Sequence, residues 1–206
     1  MGVYERQVLP RVIDKLLGDE EFGRKIRAPA CAGLHGDVIE LGFGSGLNVP
    51  YYPAAVRGVW TVDPSGVAMQ LAQKRIAIAG VAVHAGALDG ARLDFPDDRF
   101  DAALSTMTLC TIPDVEAALT ELRRVLEPGA MLHFAEHGLA PDAKVARFQR
   151  RFDPWQQRFA GGCHLARDIR ALIEAAGFEI EALENRFIKG PKAFSYMYLG
   201  RARNLP

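Results

Sequence analysis

The segment Val38–Gly46 reads Val-Ile-Glu-Leu-Gly-Phe-Gly-Ser-Gly and constrains this chain more than any other stretch. A short apolar strand over Val38–Leu41 runs into a turn with glycine at every second position, Gly42, Gly44 and Gly46. A second apolar run, Gly58-Val-Trp-Thr-Val, ends on Asp63, about 20 residues on, the distance at which nucleotide-binding folds place an acid. Strand, glycine turn, helix, strand and terminal acid make a nucleotide-binding βαβ unit. The glycines let backbone come close to a ligand, and the acid can accept hydrogen bonds from a ribose. An ordinary strand-to-helix turn is the plain alternative, and three alternating glycines behind an apolar strand speak against it. Asp63-Pro64-Ser65 is also a good helix start, so capping and ligand roles for Asp63 are compatible. Glu40 taken alone could cap the helix that follows.

Length and charge narrow the classes. A chain of 206 residues fits one domain with a sizeable core. Lys+Arg and Asp+Glu are equal at 25 each, so no global field attracts nucleic acid. No apolar run approaches the ~18 residues of a membrane span. The opening Met-Gly-Val-Tyr-Glu-Arg lacks a signal-peptide layout, and Gly2 lacks the context for myristoylation. Cys31, Cys110 and Cys163 form no CxxC pair, which suggests a reducing cytoplasmic setting. No His/Cys cluster has metal-ligand spacing in sequence, so no metal is expected.

Residues 1–36 read as a helical segment, with Val8, Leu9, Val12, Ile13, Leu16 and Leu17 at helical spacing and Arg6, Arg11 and Lys15 among them. It is expected to pack on the domain or close over its pocket; a membrane-surface helix is the second reading. Further strands are expected at Gly58–Val62, Val81–Ala85, Arg99–Ser105 and Ala130–Ala135. Helices are expected at Ser65–Ala79, with Val67, Leu71 and Ile76 facing inward, at Asp114–Leu126, at Pro141 to about Phe159 and at Leu165–Ala176. Phe178–Phe187 and Ala193–Arg201 close the chain as two strands. Alternation of strand and helix argues an α/β fold with a mostly parallel sheet and an antiparallel last strand.

The spacing of the glycines separates two ligand classes. A dinucleotide fingerprint has Gly-x-Gly-x-x-Gly; here the third glycine comes one position early. Glu40-x-Gly-x-Gly-x-Gly46 with a later acid resembles motif I of the class I S-adenosylmethionine (AdoMet) methyltransferases. Val62-Asp-Pro-Ser65, Leu93–Asp101 and Glu121–Gly129 look like the later motifs of that superfamily. The resemblance implies a Rossmann-like fold with a seven-stranded sheet and a cofactor-binding core at 37–138, followed by acceptor-side elements at 139–206. Gly46-Leu-Asn-Val-Pro-Tyr-Tyr-Pro53, Leu109–Pro113, Glu136-His137, Asp153-Pro-Trp155, Gly161-Gly-Cys-His164 and Gly190-Pro191 are similar to the methyltransferase-like 7 group. Its mammalian members are thiol S-methyltransferases with an N-terminal hydrophobic anchor, which this sequence is not expected to carry. Bacterial phosphatidylethanolamine N-methyltransferases share the central motifs.

By this resemblance AdoMet is the cofactor. Its methionine end would be held by Glu40, Leu41, Gly42, Gly44 and Gly46 with Asn48, and Glu40 suits the ammonium group. Asp63 would take the ribose hydroxyls, with Pro64, Ser65 and Met69 near the adenosine. Gly86, Ala87 and Leu88 would frame the adenine, and Thr106 would lie near the sulfonium. The expected acceptor is a small, fairly apolar molecule, a thiol first and phosphatidylethanolamine second; a non-catalytic AdoMet-binding domain is the non-enzymatic reading. His137 and His164 are the candidate general bases, with structural roles as the alternative for each. Cys163 makes a poor nucleophile candidate because methyl transfer needs no covalent enzyme intermediate, and Cys110 reads as a buried small residue. Phe148, Phe152, Trp155 and Phe159 repeat at helical spacing, either as a core face or as a roof over a lipophilic acceptor. Arg147, Arg150 and Arg151 read as a solvated face. A nicotinamide oxidoreductase is disfavoured by the glycine spacing and the lack of a Tyr-x-x-x-Lys pair. The absence of an Asn/Asp-Pro-Pro-aromatic run after the fourth strand disfavours DNA amino methylation. Oligomeric state is not legible in the sequence.

Overall fold

The computed structural model describes residues 4–205, so the Gly2 reading lies outside the described residues. Tyr4–Val8 forms a π-helical turn that leads into helix α1, Leu9–Leu17. The short helices α2 (Glu20–Phe22) and α3 (Ala28–Cys31) follow, joined by a second π-turn. The domain then alternates β1 (Gly36–Leu41), β2 (Val56–Val62), α4 (Gly66–Ala77), β3 (Ala82–Ala87) and β4 (Phe100–Thr106). Next come α5 (Val115–Val125), β5 (Leu126–His137), α6 (Ala143–Phe159), α7 (Ile169–Ala175), β6 (Phe178–Phe187) and β7 (Tyr196–Asn204).

The seven strands form one sheet in the order β3-β2-β1-β4-β5-β7-β6, and only β7 runs antiparallel to its neighbours. Strand order reverses between β1 and β4, the switch point at which open α/β sheets bind ligands beyond the strands' carboxyl ends. Central strands covered on both faces need apolar residues throughout, and β1 and β4 are buried along almost their whole length. One face packs Leu119, Leu122 and Val125 of α5 with Ile169 and Ile173 of α7. The other packs Ile26, Ala30 and Cys31 of the N-terminal segment. Side-chain oxygens of Ser65, Asp114, Asp142 and Asp168 accept backbone N–H bonds at the starts of α4 to α7.

Several local expectations are corrected. The inward side of α4 is Ala68 and Ala72, while Val67, Leu71 and Ile76 are only half-buried. Small residues are needed there because a Cβ placed on Gly46 would already lie 3.2 Å from Ala72 Cβ. The seventh helix starts at Ile169 rather than Leu165, because Asp153 accepts the N–H groups of Leu165 and Ala166 and holds them out of a helix. The aromatic residues of α6 face solvent: Trp155 is 61 % and Phe159 57 % exposed. The inward face belongs to Ala146 and Gln149 instead. Gln149 earns burial by bonding Ala140 N, Gly138 O and Ala193 O, three loop groups that an aromatic ring would leave unpaired. No helix among the described residues is long and apolar enough to cross a membrane.

Candidate functional site

A cavity of about 880 Å³ opens at the carboxyl ends of β1, β2 and β4. That is large for a small-molecule site, for which roughly 300–1,000 Å³ is usual. Its floor is the glycine turn. Gly42, Gly44 and Gly46 all have positive φ, +70°, +56° and +73°, a region that costs other residues roughly 1–2 kcal/mol each. Gly42 is further required because a Cβ there would overlap the Thr108 side chain. Gly44 is different: an added Cβ meets only Gly42 O at 3.8 Å, so it would project into open cavity where a ligand can approach the backbone.

Asp63 stands at the end of β2 on the cavity wall. Its Oδ2 accepts from Gly44 N and its Oδ1 from Ser65 N, both at 2.8 Å. The acid therefore fastens the glycine turn and starts α4, and each oxygen keeps a lone pair for a further donor. Burial raises its pKa, against which those two N–H bonds act. Leu41, Gly42, Gly44, Pro64, Ser65, Leu88 and Thr106 also line the cavity, as the sequence led us to expect.

Six other expected cofactor contacts do not reach its surface. Glu40 and Asn48 lie beneath the floor in a buried polar cluster. Asn48 Nδ2 donates to Glu40 Oε1 and to Thr106 Oγ1, each at 2.8 Å, and Tyr52 donates its hydroxyl to the other Glu40 oxygen. Burial lifts the Glu40 pKa to about 7, with the Tyr52 and Asn48 bonds pulling the other way. Gly46 and Met69 belong to the underside of the turn, beside Phe43, Val49 and Ala72. Gly86 and Ala87 are absorbed in the β2–β3 pairing, where Ala87 O receives Asp63 N at 3.1 Å. Leu88, Asp89 and Gly90 take the position beside the cavity instead.

Arg27 is the residue that pattern reading missed. It is 5 % exposed yet touches the cavity. Its Nη1 donates to Asn48 Oδ1 at 2.8 Å and to Thr106 Oγ1 at 3.2 Å, while its Nε has no partner. Burial lowers its pKa, opposed by the nearby Glu40 charge. A half-used buried guanidinium at a cavity wall suits a carboxylate. Nothing local marks Arg27 in the sequence, since only the fold brings the N-terminal segment under the glycine turn.

The far wall is the loop after β4. Met107 has φ +56°, rare for a residue with a side chain. It is held by Met107 N donating to Ala135 O at 2.9 Å and by buried Glu136, which accepts from Thr108 N at 2.8 Å and Ser105 Oγ at 2.8 Å. Met107, Thr108, Thr111 and Ile112 thereby face the cavity. Above, Leu9, Ile13 and Leu17 of α1 form the roof. That helix is fastened by Leu9 against Gly161 and by an Asp14–Arg75 ion pair at 2.9 Å. The N-terminal helix is thus a cover over the cavity, and its outer side leaves Val12 and Leu16 exposed.

Neither histidine expected as a base lines the cavity. His137 is 5 % exposed, with Nε2 3.3 Å from Cys163 Sγ. His164 Nδ1 faces Asp153 Oδ2 at 3.3 Å. No histidine, lysine or cysteine lines the cavity among the described residues. Cys110, His137 and Cys163, which have no metal-ligand spacing along the chain, converge in space behind the cavity wall.

Comparison with known proteins agrees with this geometry. A family model described as "Methyltransferase domain" matches residues 39–134. Thiol S-methyltransferase TMT1B of Rattus norvegicus is 30 % identical over 169 residues, covering 79 % of this chain and 66 % of the relative. Phosphatidylethanolamine N-methyltransferase of Cereibacter sphaeroides is 29 % identical over 134 residues, covering 61 % of this chain and 65 % of the relative. The chain therefore spans just under two thirds of the length of each. A SAM-dependent methyltransferase from Thermotoga maritima superposes with a TM-score of 0.66 at 23 % identity, covering 98 % of this chain and 97 % of that one.

Proposed function

We propose that this chain is a class I AdoMet-dependent methyltransferase that methylates the sulfur of a small, fairly apolar thiol, a reading supported by the methyltransferase-domain match and the thiol S-methyltransferase relatives. The observation that carries the proposal is the composition of the cavity: cofactor-type groups at one end, an apolar wall and roof at the other, and no histidine, lysine or cysteine on the lining among the described residues. AdoMet supplies an activated methyl group. Asp63 accepts the ribose hydroxyls, and Gly44 lets backbone lie against the ligand. Arg27, whose side chain reaches the cavity wall, receives the carboxylate of the amino-acid end, while Glu40 and Asn48 orient Arg27 and Thr106 from below. Pro64, Val67 and Leu88 flank the base.

On the acceptor side, the chain's task is to align and dry. Met107 and Ile112 from the wall, with Leu9 and Ile13 from the roof, exclude water from the line of attack. Holding two reactants in attack geometry can supply roughly 7–11 kcal/mol. A thiol is a few per cent thiolate at neutral pH and strongly nucleophilic, so an unassisted site suffices for sulfur. An amine held as ammonium would need a base, and the carboxylates on the lining, Asp63 and Asp89, already accept backbone N–H bonds from Gly44, Ser65 and Ala91. Phosphatidylethanolamine keeps one observation in its favour, the exposed apolar surface of Val12, Leu16, Trp155 and Phe159.

The test is transfer of labelled methyl from AdoMet to an alkyl thiol, to hydrogen sulfide and to phosphatidylethanolamine vesicles. Label on the thiol is the expected outcome. Label confined to the lipid would replace the acceptor assignment, and AdoMet binding without any transfer would favour a non-catalytic domain.

A further inference from the structure

The convergence of Cys110, His137 and Cys163 plays no part in the chemistry above. Cys110 lies in the loop after β4, His137 ends β5, and Cys163 follows the Gly161-Gly162 turn that breaks α6. Cys110 and His137 are buried and Cys163 is part-buried. Cys163 Sγ stands 3.8 Å from Cys110 Sγ and 3.3 Å from His137 Nε2, and the three donor atoms all fall within 4.8 Å of one another.

The two separations made by Cys163, 3.8 Å and 3.3 Å, match the edges of a coordination tetrahedron. Two thiolates each bound at about 2.3 Å to one zinc ion, at the tetrahedral angle, stand about 3.8 Å apart. A thiolate and an imidazole nitrogen on the same ion stand about 3.5 Å apart. The backbone is built to keep the donors there. Gly161 and Gly162 take φ +62° and +85° to turn the chain back. His164 N then donates to Cys110 O at 2.7 Å, which clamps the two cysteine loops together. Cys110 N is held by Glu136 Oε2 at 3.5 Å, and Glu136 directly precedes His137. Arg167, bonded to Leu109 O and Ile112 O, fixes the loop from the other side and adds a positive charge nearby.

We propose that Cys110, His137 and Cys163 form a binding site for a thiophilic divalent cation of the zinc class, with a fourth position for a water. Two thiolates neutralise the dication, a neutral imidazole completes the protein donors, and three-donor Cys₂His zinc sites have this composition. The site ties together three segments, two of which supply acceptor-side wall through Thr111 and Gly162. It is distinct from the cofactor cavity and does not depend on which acceptor is methylated.

The experiment loads reduced full-length protein with zinc sulfate, removes excess by gel filtration and counts metal per chain. Cobalt chloride is used in parallel, because thiolate ligation gives a near-ultraviolet charge-transfer band. The expected result is one zinc per wild-type chain, at least about tenfold more than in a Cys110→Ala/Cys163→Ala variant. Cys163→Ser should lose about half the cobalt band, in line with the loss of one of two thiolates. Metal retained equally by the double variant would overturn the site, as would a wild-type chain that keeps no metal. A Cys110–Cys163 disulfide that persists under reductant would also overturn it. The wild-type stoichiometry decides the matter even if a cysteine variant folds poorly.

Discussion

Glu40→Gln gives the sharpest physical test of the floor beneath the cavity. Glu40 is fully buried, and burial lifts its pKa from the ordinary 4.5 to about 7, despite hydrogen bonds from Tyr52 and Asn48 that favour the anion. In the unfolded chain the carboxyl ionises near 4.5, whereas the folded chain retains the proton until about pH 7. Folding is therefore favoured most at low pH, and the contribution is lost as pH rises from about 4.5 to about 7. A shift of this size corresponds to about 3 kcal/mol, at 1.36 kcal/mol per pKa unit. Glutamine keeps the shape, can still accept from Asn48 and does not titrate. Urea unfolding of both proteins at a series of pH values, compared as a difference, cancels the other titrating groups. The wild type should lose about 3 kcal/mol relative to Glu40→Gln across that window, seen also as roughly 6–12 °C in Tm for a chain of this size. Parallel stability curves would refute the view that Glu40 is a buried, proton-retaining part of the floor.

The remaining predictions concern the cavity. Gly44→Ala should cost about 1 kcal/mol of stability, because alanine resists φ +56°, while weakening AdoMet by about tenfold or more; calorimetry and thermal melts read both. Arg27→Met should weaken AdoMet about tenfold or more, through loss of a charge-assisted bond, and leave 5′-methylthioadenosine, which lacks the carboxylate, little changed. Log kcat/KM against pH should rise to a plateau at the acceptor thiol's own pKa and shift when a more acidic thiol is used. An inflection that stays in place for both thiols would point to a protein base.

The sequence made the cofactor half legible because its rules are local. Alternating glycines behind an apolar strand forced the left-handed turn, and the acid at the end of β2 fell where βαβ geometry puts it. The rest depended on contacts between distant segments. Arg27 enters the site only because the N-terminal segment packs under Asn48 and Thr106. The helical period of Phe148, Phe152, Trp155 and Phe159 was correctly visible, but the side they face was not. Gln149 and Asp153 take the inner face because loop N–H and C=O groups there need partners. The Cys110–His137–Cys163 convergence follows no spacing rule, since each residue comes from a different loop or strand end.

The most direct test of the central claim is a calorimetric titration of AdoMet into the wild-type chain and into Asp63→Ala. A saturable 1:1 isotherm is predicted for the wild type, with affinity about tenfold or more lower in the variant, in keeping with the loss of charge-assisted ribose bonds at roughly 1.5–3 kcal/mol each. No AdoMet binding by the wild type, or an affinity unmoved by Asp63→Ala, would contradict the placement of the cofactor in this cavity.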